Sequence, residues 1–325
     1  MNKPVFTYDD QVIPISEIDT ADDTCRLSLR TDPAGLAAAI QAVGLINPPV
    51  LRHKDNRTYR IVCGFRRVEA CRSLGWPEIK GRVLVGDLSD LDLLKLAILD
   101  NRSHRSLNVV EQASGIQKLS AHIPLKNRLE ALASLLGFPP NDKVYQKIGA
   151  LTRLPEMVQA GVLDETISFE AAADLSCLSR EEALAFFDVL KGLKLSQNKQ
   201  REIIRLVREI AAREDLQVLQ VLQGEDIRAI VESPEFNRNE KGSMFRAYLK
   251  RRRFPTLVKT EERLLRELKA LKLNEDLHIT PPSYFEGGRY TLRMTFKNLE
   301  DFNKGRHTLN AMAKNPALKR LLEPY

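Results

Sequence analysis

Apolar positions recur along this chain with two different periods, and the change of period divides it. In DPAGLAAAIQAVG, Leu36, Ile40 and Val43 stand at helical spacing. Asp32 suits the N-cap, Pro33 the first helical position and Gly44 the stop. The pattern then changes to alternation. Val50 and Leu51 open a strand, Asp55 and Asn56 mark a turn, and Tyr59, Ile61 and Cys63 alternate with Arg60 and Val62, which predicts a β-hairpin. Gly64 follows at once, and behind it FRRVEACRSLGW reads as a helix with Val68, Cys71 and Leu74 on its apolar side and Gly75 at its end. Residues 82–85 read as another strand, and 91–99 as the start of a helix. Residues 1 to about 30 are polar and irregular, with Ile13, Ile15 and Ile18 as a short strand or docking segment.

Beyond Leu107 the strand signals vanish. Segments 109–121, 128–136, 141–153, 155–161, 168–176, 179–192 and 199–213 all read helical, with Ile203, Val207 and Ile210 as a clear stripe. Residues 250–255 resemble a hinge, and 260–273 an amphipathic helix carrying Leu264, Leu268 and Leu271. Strand signals return at 276–280 and 290–296 around a Pro-Pro and Gly-Gly turn region, followed by helices at 299–309 and 316–322. The chain is therefore expected to be multidomain: an α/β domain at 1–108, an all-α domain at 109–215, a basic helical linker at 216–273 and a small α+β domain at 274–325.

Within the helical part, LEALASLLG ends at Gly137 and the turn Phe138-Pro139-Pro140 leads to Asn141, which suits the cap of a second helix. Val144, Ile148 and Leu151 form that helix's apolar stripe. Lys143, Gln146 and Lys147 fall on its polar side near the start, where a helix-turn-helix presents residues to the major groove. Gln can read adenine, Lys can read guanine or bind phosphate, and Tyr145 can reach a phosphate. A plain pair of antiparallel helices has the same pattern.

Composition changes the picture in one place. The 325 residues exceed one small core, and the formal net charge is +7. Residues 241–273 hold eleven Lys and Arg against three Glu, more than the whole-chain excess, so the remainder is close to neutral. The densest run is Lys250, Arg251, Arg252 and Arg253. It reads either as a solvated helix end or as a phosphate-contacting patch. Cys25, Cys63, Cys71 and Cys177 form no CxxC pair, which argues against zinc and for a reducing compartment. The start, MNKPVFTYDD, has no apolar run of a secretory signal, and no eighteen-residue apolar stretch exists. A cytoplasmic location with no membrane partner is the expectation.

The strand, Gly64 and helix start form a distinct arrangement. A helix N-terminus offers free N–H groups and partial positive charge. Gly64 lets a ligand approach the backbone, while Arg66 and Arg67 add forked donors for phosphate oxygens. Two ordinary surface arginines on a first turn are the alternative.

Gly64-Phe65-Arg66-Arg67-Val68-Glu69-Ala70 resembles the GERRxRA box of the ParB/RepB-type partition proteins. Gly44-Leu45-Ile46-Asn47-Pro48-Pro49-Val50 is similar to their G-L-x-Q-P-x-V segment. Residues 100–108, Asp-Asn-Arg-Ser-His-Arg-Ser-Leu-Asn, resemble their E-N-x-x-R-x-x-L-N stretch, which Glu111 and Ala113 continue. Leu154-Pro155-Glu156, then Gly161-Val162-Leu163 and Ile167-Ser168, are similar to a passage behind the recognition helix. The resemblance covers about residues 30–215. It implies a sulfiredoxin-like first domain that binds CTP with magnesium, phosphate contacts from Gly64, Arg66 and Arg67, and Asp100 and Asn101 near the metal. Phe65 stands where the box has Glu, Glu69 where it has a later Arg, and His104 where the third box has Arg, with Arg105 beside it. These departures touch hydrolysis more than binding. Sulfiredoxin's own chemistry is disfavoured, because the position of its Cys is Phe65, and no nuclease-type carboxylate cluster is evident.

The expectation is a nucleoid-associated, sequence-specific binder of double-stranded DNA that acts in chromosome or plasmid partition. CTP would be its switch ligand, with weak CTPase activity left open. DNA docking would bias the nucleotide-bound form. A homodimer through the C-terminal domain and a partition ATPase as partner are further expectations. Two other readings stay open: a helix-turn-helix transcriptional regulator without nucleotide turnover, and a nucleotide-dependent phosphoryl-transfer enzyme.

Overall fold

The first thirty residues are more regular than their polarity suggests. In the computed structural model, which describes residues 6–29, 33–55, 57–273, 276–281 and 289–322, strand β1 runs over Thr7–Pro14. A 3₁₀ turn at Ile15–Glu17 and a short strand β2 at Ile18–Asp19 follow. Ile13, Ile15 and Ile18 are all buried, so three apolar side chains anchor an otherwise polar segment. The expected cap Asp32, the turn residue Asn56 and most of the Pro-Pro and Gly-Gly turn lie outside the described residues.

Helix α1 spans Ala34–Val43 and stops at Gly44, whose φ of 80° requires glycine-like freedom. The hairpin forms from β3 (Val50–His53) and β4 (Tyr59–Cys63), paired antiparallel. Its alternation does not hold to the end: Ile61, Val62 and Cys63 are all buried, because this strand is covered on both faces. Helix α2 spans Phe65–Ser73, and β5 is longer than expected, Glu78–Val85. The sheet order is β1-β5-β3-β4-β2. β5 is antiparallel to β1 and parallel to β3, and β2 is parallel to β4. Helix α3 (Asp90–His104) opens with a capping box between Ser89 and Asp92 and runs past the expected stretch.

The helical segments follow almost as read: α4 (Val109–Leu119), α5 (Arg128–Leu136), α6 (Asp142–Ala150), α7 (Glu156–Leu163), α8 (Phe169–Leu175), α9 (Arg180–Lys191) and α10 (Gln197–Glu214). Asn108 and Glu111 form the capping box of α4. Two members of the third sequence box thus have a local structural reason to be there.

The chain parts into two compact units, Met1–Ile204 and Arg205–Tyr325, with the division inside α10. The stretch read as a basic helical linker consists of helices α11 (Val218–Leu222), α12 (Glu225–Glu232), α13 (Arg238–Arg253) and α14 (Pro255–Ala270). They bury side chains of their own, among them Ile227, Phe245 and Leu249. The expected hinge narrows to Phe254, between α13 and Pro255 at the start of α14. An antiparallel pair, β6 (Leu277–Thr280) and β7 (Thr291–Met294), precedes α15 (Leu299–Ala313) and α16 (Pro316–Leu322). Leu264, Leu271, Met312, Ala317 and Leu321 form their core.

Candidate nucleotide-binding and nucleic-acid-binding sites

The turn between β4 and α2 is built around one conformation. Gly64 caps α2 at φ 91° and ψ 29°, in the left-handed region. A Cβ there would stand 2.9 Å from Nε of Arg67, whose side chain folds back over the glycine. Arg67 Nη1 donates to the carbonyls of Asn47 (2.7 Å) and Pro48 (3.2 Å). The first and second sequence boxes therefore meet through this guanidinium, which holds the wall of the site. Arg66 is exposed at the next position, with no partner among the described residues.

Gly64, Arg66 and Arg67 line a cavity of about 560 Å³ together with Asp100 and Asn101 from the end of α3. Residues 36 positions apart in sequence, Gly64 and Asp100, thus line one cavity. Arg105 and Glu111 line the same cavity. His104, at the place of the third box's Arg, is exposed, and its Nδ1 lies 2.8 Å from the Asp100 carbonyl at the end of α3. The guanidinium facing the cavity comes from the neighbouring position, Arg105. It meets Glu111 at 2.7 and 2.5 Å. That pair cancels, leaving Arg66 and Arg67 against Asp100, and the N-terminal field of α2 adds positive potential.

Arg26, which lies in no motif, was not anticipated from the sequence. It is 5% exposed and touches both departures in the Gly64 box. Its guanidinium stacks 4.5 Å from the Phe65 ring centroid and donates to Glu69 at 2.5 Å. Its Nε donates to Asp23 at 2.9 Å. The Glu69 charge is thereby neutralised and does not oppose an anion at the head of α2. Only the long-range pairing of a loop arginine with α2 could have revealed this, and no local pattern encodes it.

Asn101 Nδ2 donates to the Ala97 carbonyl at 2.8 Å, a bond that uses the amide nitrogen and not the amide oxygen. No group of three or more His, Cys, Asp or Glu among the described residues could hold a metal. A hard cation held by Asp100 and Asn101 needs further oxygens from phosphate and water, which is how magnesium is commonly bound. Burial, then the neighbouring Asp100 charge, pushes the Cys63 thiol far above its ordinary range. Burial pushes Cys25 up to about 12. Neither is a thiolate at neutral pH, so neither suits nucleophilic chemistry.

In the helical part, α4 packs against both α5 and α6. Gly137 ends α5 at φ 80° and ψ 39°. Asn141 Oδ1 accepts from the amides of Lys143 (3.0 Å) and Val144 (3.2 Å), starting α6. Ile148 is buried, and the rings of Phe138 and Tyr145 lie 6.4 Å apart. Lys143 and Gln146 are exposed, and Tyr145 is half-buried. Lys147 differs from its neighbours: it meets Glu170 of α8 at 2.5 Å. A pair so placed withholds that charge from a phosphate unless it opens.

No helix among the described residues is long and apolar enough to cross a membrane.

The sheet-and-helix domain with this Gly64 turn is a recognisable class: residues 4–102 match the family described as the ParB N-terminal domain. The chain therefore carries a ParB-type N-terminal domain. Among its relatives, the nucleoid occlusion protein of Oceanobacillus iheyensis is 33% identical over 170 residues, spanning 51% of this chain and 57% of that protein. The nucleoid occlusion protein of Bacillus mycoides is 33% identical over 179 residues, spanning 54% and 59%. The chain thus covers less than two thirds of either relative's length. Among solved structures, C-terminally truncated ParB from Caulobacter crescentus complexed to the centromeric parS site is 22% identical, covering 60% of this chain and 98% of that one at a TM-score of 0.34. The same protein complexed with CTP-gamma-S gives 22% identity and a TM-score of 0.27, covering 56% and 98%.

Proposed function

We propose that this chain is a double-stranded DNA-binding protein of partition type, with CTP and magnesium as its switch ligands. One observation carries the nucleotide half: Gly64, Arg66, Arg67, Asp100 and Asn101, from two separate sequence boxes, line one cavity of about 560 Å³. That volume lies in the range of small-molecule sites. In this reading Arg66 is the free donor for phosphate oxygens, Arg67 fixes the Gly64 turn, and Asp100 and Asn101 stand near the metal. Lys143, Tyr145 and Gln146 on the first turns of α6 would face DNA, with Lys147 joining only if it leaves Glu170.

The C-terminal unit is proposed as the dimer contact. Leu292, Phe296 and Leu299 are exposed there, and the two-stranded pair β6–β7 leaves strand edges to be covered. Sedimentation as a monomer at micromolar concentration would rule this contact out. The name shared by the relatives, nucleoid occlusion protein, favours a chromosome-bound role as the second reading. A partition ATPase as partner remains part of the first.

The test is calorimetry with CTP, ATP and GTP plus magnesium, on wild type and Arg66→Ala. CTP-selective binding lost in the variant supports the switch. Binding of none of the three removes the nucleotide half and makes regulation of transcription the better reading. Steady phosphate release without DNA would instead favour a phosphoryl-transfer enzyme.

A further inference from the structure

Two pairs of adjacent residues divide their side chains between the nucleotide cavity and the turn between α5 and α6. At the end of α3, Asn101 lines the cavity while Arg102 does not. Arg102 Nη1 instead donates to the carbonyls of Ser134 (2.7 Å) and Leu135 (2.8 Å), in the last turn of α5. Its guanidinium lies against Gly137: a Cβ on that glycine would stand 3.3 Å from Nη2. At the start of α4, Glu111 lines the cavity, while Gln112 Nε2 lies 3.4 Å from the carbonyls of Leu136 and Gly137. Successive helical residues point about 100° apart, so one turn of each helix faces both places at once.

The carbonyls concerned are those a helix leaves unsatisfied at its C-terminus. Arg102 supplies them with a charged donor, and Gly137 is the residue that lets the guanidinium come so close. Two helices that wall the cavity therefore also hold the turn from which α6 sets out. Any ligand that shifts the end of α3 or the start of α4 must either carry this turn along or break these bonds.

We propose that Arg102, assisted by Gln112, is the positioning residue through which occupancy of the cavity is felt at the α5–α6 turn. The inference rests on the nucleotide and DNA readings above. It adds a named physical link between them, of the kind coupling between sites requires.

The experiment is hydrogen–deuterium exchange of the full chain over residues 134–141, with and without CTP and magnesium, for wild type, Arg102→Ala, Arg102→Lys and Gln112→Ala. Calorimetry with CTP is run in parallel on each protein. In wild type, CTP changes exchange in this segment by about threefold or more, as local opening responds to a bound ligand. In Arg102→Ala the cavity still binds CTP within about threefold of wild type, but the response over 134–141 falls to roughly none. Arg102→Lys restores part of it, and Gln112→Ala loses part of it with the Arg102 bonds intact. A residue that merely caps α5 would raise exchange equally with and without CTP and leave the response unchanged. That result, or a wild-type segment indifferent to bound CTP, overturns the link. Absence of CTP binding by calorimetry in wild type is a different failure, that of the nucleotide reading itself, and the link falls with it.

Discussion

Two basic runs stand at opposite ends of helices. Arg66 and Arg67 occupy the first turn of α2, and Lys250, Arg251, Arg252 and Arg253 the last turn of α13. A helix favours cations at its C-terminus and anions at its N-terminus, by about 0.3–1 kcal/mol each at an exposed site. The run on α13 is therefore where the helix field wants it, and carboxylates complete its satisfaction. Arg252 pairs with Glu214 at 2.6 Å, Arg253 with Glu209 at 2.9 Å and Arg251 with Glu262 at 2.9 Å. Arg213 further ties the segment by donating to the carbonyls of Arg252 and Arg253, both at 2.6 Å. The pair on α2 goes against its helix field, and Arg66 has no partner among the described residues. Charge density along the sequence ranks the α13 run first as a phosphate site. The partners in the fold reverse that ranking.

The largest effect should come from Gly64→Ala. A residue with Cβ at φ 91° is strained by about 1–3 kcal/mol, and this Cβ also meets the Arg67 guanidinium at 2.9 Å. Displacing Arg67 releases its bonds to Asn47 and Pro48. Calorimetry should find CTP binding weakened by more than about tenfold, with a lowered melting temperature. Wild-type affinity in this variant would mean that the turn does not shape the site.

Arg66→Ala and Arg251→Ala test the comparison directly. Losing a charge-assisted hydrogen bond costs about 1.5–3 kcal/mol, or roughly ten- to a hundredfold in Kd. Arg66→Ala should show that loss for CTP with its melting temperature unchanged, because no structural contact goes with it. Arg251→Ala removes only an exposed ion pair, so nucleotide affinity and stability should both stay near wild type. Equal effects from the two substitutions would break the contrast.

Much of this was legible in the sequence. The helices from α4 to α10 follow their apolar spacing, and the Gly64 box and the 100–108 stretch both contribute residues to one cavity. Local rules ran out where the outcome depends on distant partners. Val62 looked like the outward position of an alternating strand, but it is buried in the domain's core. Arg26 carries no motif, yet it answers both Phe65 and Glu69. Lys147 reads as a DNA contact, and no local pattern shows that α8 brings Glu170 to it. Ion pairing joins residues whose separation no periodicity encodes, and the α13 run has the same lesson.

Arg252→Ala should have a smaller effect, on stability alone. Its pair with Glu214 is about three-quarters buried on each side, and a loss of about 1 kcal/mol in chemical denaturation is expected. Binding to a DNA duplex selected by the wild-type protein should keep its salt dependence. A phosphate contact contributes about one to that slope. A slope reduced by about one would show that Arg252 does touch DNA, and the run would then rejoin the candidate sites.

The finest distinction is in acid. The Arg252 guanidinium, then that of Arg213, outweighs partial burial and holds the Glu214 carboxyl below its ordinary 4.5. A depressed carboxyl stabilises the fold above its unfolded pKa and loses that contribution as pH falls through the folded one. The melting-temperature difference between wild type and Glu214→Gln should therefore be present at pH 7 and shrink as pH drops below about 4.5. Asp22 provides the contrast in the N-terminal unit. Burial alone would raise its carboxyl, but hydrogen bonds from Thr24 and the Arg60 charge outweigh burial and bring it to about 2. Its difference, read with Asp22→Asn, should shrink over a lower range, from the ordinary 3.8 towards 2. If instead the Glu214 difference persists unchanged through that range, the carboxylate is not what holds Arg252, and the α13 run has charge to spare.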